Sequence, residues 1–117
     1  MSRDQERSVA FAYAKAALAV SVQHAENWSI SLELLSGSLK NKTLAHAFAG
    51  AFVSVQHAPR VMMDALRQQG FTECFCRFVQ VVVEHRRLAL LDEISAFYLV
   101  LKSEHDGEYR ASIALAH

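Results

Sequence analysis

Two stretches of this chain carry apolar residues around more of the helical circumference than a surface helix needs. In the first, Val9, Tyr13, Ala16 and Val20 fall in one row at helical spacing. Phe11, Leu18 and Val22 form a second row, and Ala10, Ala14, Ala17 and Ser21 a third and narrow one. Only Ala12, Lys15, Ala19, Gln23 and Glu26 form a row with regular polarity. The second stretch behaves alike: Cys74, Phe78 and Val81 align, as do Phe75 and Val82, and Cys76, Val79 and Val83. Its polar row is Glu73, Arg77, Gln80, Glu84 and Arg87. A surface helix needs an apolar stripe a little over ~100° wide. The excess has two readings. Both helices lie in the middle of a bundle, or together they expose a groove for an amphipathic helix of another protein. The small row of Ala10, Ala14 and Ala17 suits close approach by a second helix.

Around these two, the pattern predicts six helices. The first covers about Asp4 to His24, with Ser2 or Asp4 as N-cap. The second starts near Trp28 and stops at Gly37, the third covers about Thr43 to Phe52, and the fourth runs from about Pro59 to Gln69 and stops at Gly70. Thr72 is expected to cap the fifth, which reaches about His85. The sixth covers about Leu90 to Glu104 and ends at Asp106-Gly107, with Asp92 and Glu93 complementing its dipole. From Glu108 to His117 the alternation changes and suggests the beginning of a strand, too short to make a sheet alone.

Composition agrees with an all-α fold, a compact six-helix bundle. Of the 117 residues, 52% are apolar, and only four are Gly and one is Pro. A sandwich or barrel needs turn residues about every ten positions, more than are present. Twelve basic residues balance twelve acidic ones, so there is no electrostatic footprint for nucleic acid or an anionic membrane. The charged, acid-containing start does not read as a secretory signal or transit peptide, and no apolar run approaches the roughly 20 residues that span a bilayer. A soluble cytoplasmic domain is expected.

The chemistry of catalysis is thin. The histidines, His24, His46, His57, His85, His105 and His117, show no spacing that shares a metal. Cys74-x-Cys76 lacks a second pair for zinc, and on a helix the two thiols point apart, as small reduced hydrophobes do. Gly37, Gly50, Gly70 and Gly107 stand alone rather than in a phosphate loop, and no serine sits in a nucleophile elbow. No cofactor, metal or catalytic residue is expected. A helix-binding protein is the better reading; a small helical enzyme or cofactor carrier has no converging residues.

The segment Val9-Ala10-Phe11-Ala12-Tyr13-Ala14-Lys15-Ala16-Ala17 resembles the opening helix of the delta subunits of F-type ATP synthases, whose mitochondrial counterpart is the oligomycin-sensitivity-conferring protein. That family has a Tyr-Ala-x-Ala core followed by a second helix bearing a tryptophan, which Trp28 matches. Glu84-His85-Arg86-Arg87-Leu88-Ala89-Leu90-Leu91 is similar to the family's Glu-Asn-x-Arg-Leu-x-x-Leu junction between helices five and six. The resemblance covers about Val9 to Glu104. It departs at Phe11 and Ala12, where the family often has arginine, at His85 for asparagine, and at Arg86, a position often glycine. Tyr109 to Ala116 looks like the first strand of the family's smaller C-terminal domain.

The resemblance implies a docking domain over residues 1–105, with 106–117 beginning a linker and a C-terminal domain that is truncated here. It implies a non-catalytic stator subunit, peripheral on the cytoplasmic side of the bacterial inner membrane, without membrane insertion, and monomeric when isolated. In the family, a groove between helices one and five binds the N-terminal helix of an alpha subunit, and the C-terminal domain meets the b-type stalk subunits. Tyr13, Ala16 and Val81 match groove positions; Val20 and Phe78 extend the same rows, and Ala17 and Val82 adjoin them. The alternative is a six-helix adaptor for an amphipathic helix of another partner.

Overall fold

Residues 2–40 and 58–115 are described by the computed structural model of the chain. Ser2 caps α1 (Arg3–Gln23) through a reciprocal pair of bonds: the Gln5 backbone N–H donates to Ser2 Oγ at 3.2 Å, and the Ser2 N–H donates to Gln5 Oε1 at 3.0 Å. α2 spans Ser29–Leu39, α3 Ala58–Gln68 and α4 Glu73–Glu84, the last capped by Thr72 as expected. A short 3-10 turn, Leu88–Leu90, leads into α5 (Leu91–Leu115), whose first turn holds Asp92 and Glu93. Among the described residues there are five α-helices and no strand. The helix expected over about Thr43 to Phe52 lies outside them.

Two boundaries differ from the sequence expectation. Gly37 lies inside α2, and Gly107 lies inside α5, which continues to Leu115 where a strand was expected. Glycine costs a helix interior only about 1 kcal/mol, and no neighbouring group stands within 4 Å of where either Cβ would be. At Gly107 the preceding turn is tied by Lys102, whose Nζ lies 2.8 Å from Asp106 Oδ1. Local support of this kind outweighs a single weak position.

Three helices end in the same hydrogen-bonded turn, with the residue just past the cap in the left-handed region. After α3 that residue is Gly70 (φ +89°), with Phe71 N–H bonded to Leu66 O at 3.2 Å and Gly70 N–H to Arg67 O at 3.0 Å. α1 repeats the pattern through Ala25 (φ 55°), with Glu26 N–H to Ser21 O at 2.7 Å. α4 repeats it through Arg86 (φ 57°), with Arg87 N–H to Val82 O at 3.0 Å. Reversing the chain this way places Glu26 just past α1 and Arg87 just past α4.

The core forms where α1 packs along α5, α2 against α5, and α3 against α4. The small row of α1 is its floor: Ala10, Ala14, Ala17 and Ser21 are fully buried, and the helix that approaches them closely is α5 of the same chain. Trp28, Leu32, Phe75, Val79, Ile94 and Tyr98 fill the centre. Trp28 stacks edge-on to Phe75, ring centres 5.4 Å apart. No described helix is long and apolar enough to cross a membrane.

Candidate functional site

The rows read from the sequence separate into a buried face and an open one. On α4, Phe75, Cys76, Val79, Val82 and Val83 are buried, while Cys74 and Phe78 are half-buried and Val81 is 43% exposed. On α1 the alanine row is buried, while Tyr13 and Val20 are half-buried and Ala16 is exposed. The two open rows face one another. Between α1 and α4 they form a cleft of about 650 Å³ lined by Tyr13, Ala16, Val20, His24, Glu26, Glu73, Cys74, Arg77, Phe78 and Val81.

Of the residues expected in a groove, Tyr13, Ala16, Val20, Phe78 and Val81 come together here. Ala17 and Val82 do not. Both are 0% exposed, because each lies about 100° along its helix from the cleft row and so points into the bundle. They are core residues in this conformation. The bland reading of the wide apolar surface is therefore correct for the inner rows only; the outer rows have no partner among the described residues.

The cleft has an aromatic middle. Tyr13 and Phe78 meet edge-to-face with ring centres 6.5 Å apart, and Phe78 lies 5.3 Å from Trp28. Its two ends carry different polar groups, and Arg77 lines it beside Glu73, 4.0 Å away. α1 and α4 run in opposite directions, since Tyr13 touches Phe78 and Arg87 while Glu26, past the other end of α1, bonds Thr72 at the start of α4. At the Tyr13 end, Arg87 Nη1 donates to the Tyr13 hydroxyl at 3.0 Å, and its guanidinium carbon stands 5.5 Å from the ring centre.

At the other end, one carboxylate oxygen, Glu26 Oε1, accepts from Thr72 Oγ1 at 2.6 Å and from Trp28 Nε1 at 2.9 Å. The Thr72 bond and then the Trp28 bond hold the Glu26 carboxyl below its ordinary pKa. Glu73 nearby is likewise lowered, chiefly by a forked pair with Arg67 at 2.8 and 2.9 Å. Sequence patterning placed Glu26 and Arg87 on polar rows and gave neither a role. The signal that finds them is positional: each is the second residue past the C-cap of a helix at which the chain reverses.

Nothing in the cleft has the character of a reaction centre. The Cys74 thiol is pushed up by burial and then by the charge of Glu26, which disfavours the thiolate that nucleophilic work requires. Burial raises Cys76 too, and its side chain is enclosed in the core. Among the described residues no three His, Cys, Asp or Glu side chains converge as metal ligands. What the cleft offers is a trough of apolar and aromatic side chains about three helical turns long, with ionised groups at its ends. That is the form in which one helix receives another.

Comparison with known proteins gives a consistent result. Residues 9–117 match the family described as ATP synthase delta (OSCP) subunit. The chain is similar to the ATP synthase subunit delta of Aromatoleum aromaticum, 32% identical over 89 residues, which cover 76% of this chain and 49% of that protein. It is also similar to the subunit delta of Chromobacterium violaceum, 29% identical over 102 residues, covering 86% of this chain and 57% of that protein. The subunit delta of Acinetobacter baumannii is 28% identical over 100 residues. The chain thus spans about half the length of the curated relatives it matches. No solved structure matches it significantly.

Proposed function

Since the chain belongs to the ATP synthase delta (OSCP) subunit family, we propose that it is the docking part of a non-catalytic stator subunit. In this reading the cleft between α1 and α4 receives the N-terminal helix of an alpha subunit. Residues 1–105 form the docking domain, and 106–117, which continue α5 as far as Leu115, lead toward a C-terminal domain that meets the b-type stalk subunits. The assembly is peripheral on the cytoplasmic side of the bacterial inner membrane. Its task is to hold the catalytic head against the torque of the rotor, so that proton transport is coupled to ATP synthesis.

The observation that carries this reading is the meeting of Tyr13, Ala16, Val20, Phe78 and Val81 in one cleft. A buried apolar helix face contributes ~25 cal/mol per Å², and a useful affinity remains only after the cost of association and ordering is met. The open rows supply the apolar area. Ala16 leaves room for a helix backbone to come close, and Tyr13 and Phe78 supply rigid aromatic contact at low entropy cost.

The test uses Trp28, the single tryptophan. Its indole stacks on Phe78 and bonds Glu26, both of which line the cleft. Titration with a synthetic peptide of the alpha subunit's N-terminal segment should change its fluorescence saturably at one-to-one stoichiometry. Tyr13→Ala or Ala16→Asp should weaken that binding while the far-UV helical signal stays near wild type. No fluorescence change and no heat by calorimetry would reject the alpha subunit as partner and favour an adaptor for another amphipathic helix.

A further inference from the structure

Arg87 is a half-buried cation with one acceptor among the described residues. Its Nη1 bonds the Tyr13 hydroxyl, and among the described residues its other guanidinium N–H groups find no acceptor and no carboxylate lies within 4 Å. The stretch 41–57 cannot supply a carboxylate side chain, since it contains no Asp or Glu. The guanidinium is fixed in place from two sides. The left-handed turn at Arg86 sets its backbone, and its head is held by the ring and hydroxyl of Tyr13, a residue that lines the cleft. A cation partly withdrawn from water, with a planar fork of free donors, is a receptor for a carboxylate.

We propose that Arg87 anchors an acidic side chain of the helix that occupies the cleft, and so selects and registers that helix. The inference rests on the docking reading and deepens it. From Tyr13 to His24 the cleft wall rises ~16 Å at 1.5 Å per residue, so the occupant contributes about three turns. Its carboxylate belongs at the end of its apolar stripe that reaches Tyr13. At that end the helix meets the Arg87 donors that have no acceptor among the described residues; at the opposite end it meets Glu26 and Glu73 together with Arg77, which stands 4.0 Å from Glu73.

The test measures binding of the synthetic alpha-segment peptide, and of variants with each Asp or Glu replaced in turn by its amide, to wild type, Arg87→Met, Arg87→Lys and Tyr13→Phe. Two designed amphipathic helices, with a single Glu at the first or the last turn and Gln counterparts, serve as independent probes. One carboxylate should matter about tenfold in wild type and less than about twofold in Arg87→Met. Tyr13→Phe, which removes only the hydroxyl, should keep the charge dependence, and Arg87→Lys should keep part of it. If Arg87→Met does not fold, Arg87→Lys carries the comparison. Equal effects of the amides in wild type and the Arg87 variants would overturn the proposal. Failure of the alpha peptide with Arg87-dependent binding of a designed Glu helix would remove the alpha subunit and leave the anchor standing. Failure of every probe to bind, or binding of the designed pairs without Arg87 dependence, would remove the anchor.

Discussion

The hydroxyl of Tyr98, in the first half of α5, accepts a bond from the backbone N–H of Trp28 at 3.0 Å, although the two residues are 70 apart in sequence. The same hydroxyl lies 2.9 Å from Ser21 Oγ, which donates to Leu18 O at 3.0 Å. With the Ser21 proton committed to Leu18, Tyr98 donates to Ser21 and accepts from Trp28. One phenol thus joins the end of α1, the start of α2 and the body of α5 at a site with no access to water.

Tyr98→Phe keeps the ring and removes both bonds, leaving the Trp28 N–H buried without its acceptor. The expected cost is about 1–3 kcal/mol, read as a lower midpoint in urea unfolding at unchanged slope. Peptide binding should be unaffected in the folded variant, since Tyr98 does not line the cleft. A midpoint equal to wild type would mean that water or a shifted Trp28 replaces the hydroxyl.

How much of this was legible in the sequence depends on the kind of signal. The helical pattern, the caps at Ser2 and Thr72, and the stop at Gly70 are local, and they stand where they were expected. The two apolar helices were recognised, but not which rows face inward. Ala17 and Ala16 are adjacent, of one residue type and opposite in fate, and only the position of α5 decides between them. The ends of α2 and α5 were misjudged because a solitary glycine costs less than the neighbouring turns supply. Arg87 was invisible as a functional candidate because its contact, Tyr13, lies 74 residues away.

Ala17 gives the sharpest test of that sorting. It is wholly enclosed against the core, so Ala17→Leu should overpack the bundle and destabilise it by about 1–3 kcal/mol. Ala16→Leu, one position along and exposed, should change stability by less than about 0.5 kcal/mol. Parallel thermal melts decide the matter; similar losses at both positions would place Ala16 in the core and remove it from the cleft.

Arg86 holds a left-handed backbone, φ 57°, at a turn where α3 uses Gly70 for the same purpose. The left-handed region costs a side-chain-bearing residue roughly 1–2 kcal/mol, part of which glycine returns as chain entropy in the unfolded state. Arg86→Gly is expected to stabilise the domain by about 0.5–1 kcal/mol, a rise in Tm of about 2–6 °C. The Arg86 side chain is exposed and makes none of the described hydrogen bonds or ion pairs, so little opposes the gain. A lower Tm would show that the side chain makes a contact worth more than the strain.

Glu26 sets the response to acid at the cleft. Its carboxyl is lowered from the ordinary 4.5, first by the Thr72 bond and then by the Trp28 bond. A group lowered in the folded state contributes stability that is complete above its unfolded pKa and is lost as pH falls through the folded value. The loss therefore begins near pH 4.5 and continues below it, with Glu73 and Asp106, lowered by Arg67 and Lys102, adding to it in the same direction. Glu26→Gln keeps an oxygen to accept from Thr72 and Trp28 but has no proton to take up. Its stability should lie below wild type at pH 7, and the difference should close as pH falls below 4. Urea midpoints of both proteins from pH 7 to pH 3 test this, with Trp28 fluorescence reporting the bond to its indole. A constant difference across that range would mean that Glu26 acts by shape and not by charge.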